Sequence, residues 1–185
     1  VLLHTLSTTY IESMSRTDNI FLVGPMGVGK STIGKKLAKK LGMRFIDTDR
    51  EIEKRTGAAI PLIFDVEGEQ GFRDRESRLI DDLSQECGIV LATGGGAVLA
   101  RANRDILAER GFVVYLCGSP ELLMKRTAHD HSRPLLETTD RLGKIRLLLK
   151  ERQSYYDEVA DMTLVVDKLS VRQIIDRISD FIKET

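Results

Sequence analysis

Short, wholly apolar runs alternate along this chain with longer stretches in which apolar residues recur every three or four positions. Ile20-Phe21-Leu22-Val23 is the first run, apolar at four consecutive positions as in a strand covered on both faces. After it, Ile33, Leu37 and Leu41 keep helical spacing, Lys35, Lys36, Lys39 and Lys40 take the opposite face, and Gly42 stands where a helix ends. Four further strands are predicted over residues 44–47, 89–93, 112–117 and 162–167. Helical pieces are expected from Ile52 through Arg73, broken by Gly57, Pro61, Gly68 and Gly71, then continuing through Leu79, Ile80 and Leu83 towards Gly88. Further helices are predicted over residues 103–111, 122–127 and 142–159. Ser119 and Pro120 form the cap and first position of the second of these. A closing helix is capped by Ser170, with Val171, Ile174, Ile175, Ile178 and Phe181 on one face. Strands and helices in alternation predict an α/β fold: a parallel sheet covered on both faces, in one domain without repeats.

Chemistry enters at the first strand-to-helix junction. Gly24-Pro25-Met26-Gly27-Val28-Gly29-Lys30-Ser31 matches G-x-x-x-x-G-K-[ST], the phosphate-binding loop. A polyphosphate is densely anionic. Such a loop holds it with inward backbone N–H groups and the positive end of a helix dipole. The pattern gives Lys30 the β- and γ-phosphates and gives the Ser31 hydroxyl to Mg²⁺. At the end of the second strand lies Asp47-Thr48-Asp49. In extended backbone residues two apart face the same way, so both carboxylates would face the ligand end of the sheet. Either could instead cap the helix expected at Arg50. Gly94-Gly95-Gly96, straight after the third strand, reads as a turn where backbone itself approaches a ligand. Residues 128–140 are polar and irregular, and a loop of that length in a compact domain reads as a lid. His129 and His131 within it, without another His or Cys nearby, do not amount to a metal site.

Composition narrows the class. The chain has 185 residues, 42% of them hydrophobic and 30% charged, which suits one globular domain with a substantial core. A formal net charge of zero provides no global field for nucleic acid or a membrane surface, and no apolar run approaches membrane-spanning length. Cys87 and Cys117 form neither a metal-ligand spacing nor a disulfide framework, and read as free thiols in a reducing compartment. Residues 1–17 lack the charged start of a signal peptide and the arginines of a transit peptide. They read as a flexible extension or a mis-assigned start, with the working domain beginning near Met14.

From Asn19 onward the chain resembles the shikimate kinase family. The residues that carry the resemblance are the phosphate loop, Asp47-Thr48-Asp49, Phe72-Arg73-Asp74-Arg75-Glu76, Gly94-Gly95-Gly96, Arg126 with Arg133-Pro134-Leu135, and Arg152 in its helix ahead of Tyr155-Tyr156. The resemblance implies ATP-dependent phosphorylation of the 3-hydroxyl of shikimate in aromatic amino-acid biosynthesis, by an enzyme usually cytoplasmic and often monomeric. It implies a P-loop fold of nucleoside-monophosphate-kinase type with five parallel strands in the order 2-3-1-4-5. The kinase domain would span residues 18–185, with a substrate region near 48–78 and a lid near 128–140. It assigns the nucleotide to Gly27, Val28, Gly29, Lys30, Ser31, Thr32, Arg126 and Arg133. The acid substrate falls to Asp49, Arg73, Gly94, Gly95, Gly96 and Arg152, with Arg73 and Arg152 on the carboxylate. Catalysis falls to Asp49, Lys30 and Arg133, and Mg²⁺ to Ser31 directly and Asp47 through water. A kinase for gluconate or a nucleotide would share the loop and lid, but would not be expected to combine these other motifs. A GTP-dependent switch would need a guanine-reading N-K-x-D motif, which does not occur.

Overall fold

A computed structural model describes residues 18–128 and 138–184. The expectations for residues 1–17, for most of the lid, and for His129, His131 and Arg133 therefore fall outside the described residues.

The five strands form one all-parallel sheet in the order β2-β3-β1-β4-β5. They are β1 (Ile20–Val23), β2 (Arg44–Asp47), β3 (Ile89–Ala92), β4 (Phe112–Cys117) and β5 (Met162–Val165). The three central strands are apolar throughout because helices cover both faces; β2 and β5, at the edges, are less buried. Alternation along β1 sorts the core. Ile20 and Leu22 join Ile33 and Leu37 of α1 (Lys30–Leu41) and Ile174 and Ile178 of α7 (Val171–Glu184). Phe21 and Val23 face the other way, towards α2 (Thr48–Thr56), α3 (Ile60–Ser84) and α4 (Arg101–Arg110). The remaining helices are α5 (Pro120–Thr127) and α6 (Arg141–Val159).

Two expectations about elements need correction. Asp47 is extended and caps α2, accepting from the Arg50 amide at 3.3 Å, so the helix starts at Thr48 rather than Arg50. Asp49 is therefore in a first helical turn, and it faces the site because of helical rather than strand geometry. The expected breaks at Gly68 and Gly71 reduce to one. Gly68, at φ 73° and ψ 178°, kinks α3, which a residue with a Cβ would resist. Gly71 stays helical, since nothing in its dihedrals requires a glycine.

Candidate active site

The phosphate loop joins β1 to α1, and its glycines are required twice over. Gly24, Gly27 and Gly29 all have positive φ. A Cβ on Gly24 would lie 2.2 Å from the Leu116 carbonyl oxygen, and one on Gly27 would lie 2.6 Å from Thr127 Cγ2. The Lys30 ammonium is buried within the loop and donates to the carbonyls of Gly24 at 2.6 Å and Pro25 at 2.8 Å. Its charge is thus held at the loop's centre, where phosphate oxygens would meet the first amides of α1. Arg126, in the last turn of α5, donates to the Val28 carbonyl at 2.8 Å.

This loop forms one wall of a cleft of about 340 Å³. Gly27, Val28, Gly29, Lys30, Ser31 and Thr32 line it, and so do Asp47, Asp49, Gly95 and Arg126. At the far end the wall turns apolar, with Val166, Leu169, Val171 and Ile174. Sequence reasoning missed that end. Val166, Val171 and Ile174 are strand and helix core in the sequence reading and Leu169 has no reading there; their use in the cleft depends on where β5 ends relative to α7.

Ser31 and Asp47 meet directly, the hydroxyl donating to the carboxylate at 2.5 Å. Asp47 thereby serves both readings made of it: one oxygen caps α2 and the other faces Ser31. Two hard oxygen donors on the phosphate side of the cleft fit a magnesium ion, which binds through one or two protein oxygens and completes its shell with water and substrate phosphate.

Arg73 lies on α3 and donates to Glu76 at 2.7 Å and to Glu69 at 3.1 Å, one helical turn away in each direction. Glu76 has no exposed surface. Burial pushes its carboxyl above the ordinary range; Arg73 and Arg152 oppose that shift, while Asp49 adds to it. For Arg73, burial acts to lower the pKa, but Glu76 and Glu69 outweigh it and the guanidinium ends above its usual value. Arg152, on α6, is 4% exposed. The Nε atoms of Arg73 and Arg152 are both buried without a hydrogen-bond partner. Buried donors of this kind are costly to leave unmatched, and a ligand carboxylate would satisfy them. Arg104 Nε also lacks a hydrogen bond, but that arginine ion-pairs with Glu158 at 3.1 Å, donates to the carbonyls of Val98 and Leu99 and stacks on Tyr155, so its work is structural.

The glycine turn ties these groups together. A Cβ on Gly94 would lie 2.2 Å from Glu76 Oε1 and 3.0 Å from Asp49 Oδ1. On Gly95 it would lie 3.3 Å from the Met26 amide nitrogen in the phosphate loop. On Gly96 it would lie 2.3 Å from Arg73 Nη2. The Gly94 amide donates inward, to Thr48 Oγ1 at 2.9 Å. The absent side chains therefore make room for the protein's own functional groups. Glu76 was quoted in the Phe72–Glu76 motif but given no role, although its i,i+3 spacing from Arg73 was a readable signal.

Asp49, Arg73, Arg152 and the three glycines are thus gathered around Glu76, next to the phosphate loop, while Arg133 lies outside the described residues. A family model described as shikimate kinase matches residues 26–183. A shikimate kinase from Nitrosococcus oceani is 54% identical over 160 residues, covering 86% of this chain and 84% of its own. One from Legionella pneumophila is 50% identical over 170 residues, covering 92% and 97%. The solved structure of shikimate kinase from Acinetobacter baumannii in complex with shikimate superposes with a TM-score of 0.88 at 46% identity, covering 91% of this chain and 94% of that one. With half of its residues shared across nearly its whole length, and with the cleft that its motifs imply, the chain belongs to the shikimate kinase family.

Proposed function

We propose that this protein transfers the γ-phosphoryl group of ATP to the 3-hydroxyl of shikimate, giving shikimate 3-phosphate and ADP, within aromatic amino-acid biosynthesis. One observation carries the reading. Two arginines with buried, unmatched Nε donors, the half-buried Arg73 and the buried Arg152, share a charge cluster with Asp49 beside a complete phosphate loop. A small hydroxy acid supplies both complements, an anionic fork for the arginines and a hydroxyl for the aspartate.

In this reading Arg73 and Arg152 bind the substrate carboxylate, and Asp49 accepts a hydrogen bond from the 3-hydroxyl. The hydroxyl oxygen forms the new bond to phosphorus, the bond from phosphorus to the β–γ bridging oxygen breaks, and Asp49 takes the hydroxyl proton. Lys30, the loop amides and Arg133 offset charge on the transferring group, which is where phosphoryl transfer gains most of its rate. Ser31, and Asp47 through water, would hold Mg²⁺, which when bound neutralises charge on the β- and γ-oxygens. Val166, Leu169, Val171 and Ile174 offer the apolar surface that a flat nucleobase needs, with Arg126 beside it. Every group invoked belongs to one chain, and we take the acting unit to be a cytoplasmic monomer, as is usual in the family.

The test is coupled ADP release with shikimate, gluconate and nucleoside monophosphates as separate acceptors. The reading expects release that depends on shikimate. Equal or greater release with another acceptor would overturn it.

A further inference from the structure

Two groups given to the acid substrate, the glycine turn and Arg152, are backed by one residue that does not line the cleft. Tyr156 is one helical turn beyond Arg152 on α6. Its side chain is buried, and its ring stacks on that of Tyr115 with centroids 4.8 Å apart and planes 16° apart. Its hydroxyl donates to the Gly95 carbonyl oxygen at 2.5 Å. Arg152 stands beside the tyrosine, both side chains lining one small pocket with Pro25 and Met26, and the arginine's positive charge acts on the phenol. The tyrosine thus lies between that arginine and the glycine turn. Burial pushes the phenol up to about 12, so it keeps its proton for the Gly95 bond at any physiological pH.

The turn's geometry gives this contact a directional consequence. Across a trans peptide the carbonyl and the following N–H point in opposite directions. Fixing the Gly95 carbonyl on Tyr156 therefore fixes the Gly96 N–H on the opposite side of the turn. Arg73 lies against the Cα of the same Gly96, and Gly95 packs on the phosphate-loop backbone at Met26.

Building on the shikimate reading, we propose that Tyr156 is a positioning residue for the acid-substrate site. Its side chain sets the Gly95–Gly96 peptide and the Arg152 guanidinium in one fixed relation. Tyr115 provides a matched control: it shares the same stack and is equally buried, but its hydroxyl donates to Gln153 at 3.2 Å, away from the turn.

Tyr156→Phe and Tyr115→Phe each remove one hydroxyl and keep the stacked ring. In the full chain, Y156F should raise KM for shikimate about tenfold, as expected for one lost hydrogen bond to a charged or fixed partner. KM for ATP should stay within about twofold in both variants, and Y115F should leave KM for shikimate within about twofold. Combined with Arg152→Lys, Y156F should add less than its separate effect, because the two groups act as a unit. An unchanged KM for shikimate in Y156F, an equal rise in Y115F, or strict additivity with Arg152→Lys would overturn the proposal. Wild-type protein in the same assay separates the two ideas. If it fails to phosphorylate shikimate, the functional reading fails. If it succeeds and Y156F matches it, only the role of Tyr156 fails.

Discussion

Asp49 and Glu76 are carboxylates in the same cluster with opposite exposure. Asp49 lines the cleft and Glu76 is sealed behind it. That difference assigns their work: Asp49 can meet a hydroxyl, and Glu76 can only hold Arg73. Asp49→Asn keeps the shape and removes the proposed proton acceptor, so kcat should fall by about 10²–10⁴-fold in steady-state assays, with little change in KM for ATP. A variant turning over near the wild-type rate would limit Asp49 to binding. Glu76 calls for a pH experiment. Its folded pKa lies above the unfolded value, so it contributes stability that is complete below the unfolded pKa and is lost as pH rises through the folded one. Glu76→Gln removes that dependence. The melting temperature of wild type relative to E76Q should therefore be highest near pH 4 and decline as pH rises, in parallel thermal melts. A difference that grows with pH would mean Glu76 is held below its normal range. Arg73 and Arg152 could be given roles from sequence only through the family resemblance. Glu76 was quoted with Arg73 but given no role, because burial depends on what packs over it and the i,i+3 spacing alone does not report that.

Among the elements, the strands and α1 were the most legible, for physical reasons. An apolar run between glycines has little choice but a covered strand, and Ile33, Leu37 and Leu41 keep one face through α1. The start of α2 was misjudged because Asp47 can both end a strand and cap a helix, and the sequence of an Asp-Thr-Asp triplet does not say which residue turns the corner. The glycine turn was located correctly, but what lies against it was less legible. Its glycines face Glu76, the phosphate loop and Arg73 rather than open space. Gly96 has φ −99° and ψ 0°, which an alanine can adopt, so substitution there tests packing alone. In Gly96→Ala the new methyl meets the Arg73 guanidinium, which Glu76 and Glu69 hold in place. We expect a rise of at least about tenfold in KM for shikimate, a nearly constant KM for ATP, and a stability loss of about 1–3 kcal/mol in denaturant titrations. An unchanged shikimate KM would show that Arg73 has room to move, and that the close contact at Gly96 is not what orients it.

Across the whole molecule, the order β2-β3-β1-β4-β5 brings the phosphate loop after β1 between the turn after β3 and the end of β4. The ligand end of an open parallel sheet is where its strand connections diverge to opposite sides, and here one side collects the phosphate loop with Ser31 and Asp47 and the other collects the arginine and carboxylate cluster. The two halves share Gly95, which touches the loop on one side and Tyr156 on the other. The central claim is that this arrangement selects a hydroxy acid as phosphoryl acceptor. The most direct measurement is ADP release with each acceptor in turn, the product of each reaction identified by phosphorus NMR. The account predicts shikimate-dependent release with phosphate esterified at the 3-oxygen. Release that is indifferent to shikimate, or a phosphate carried by a different acceptor, would contradict it.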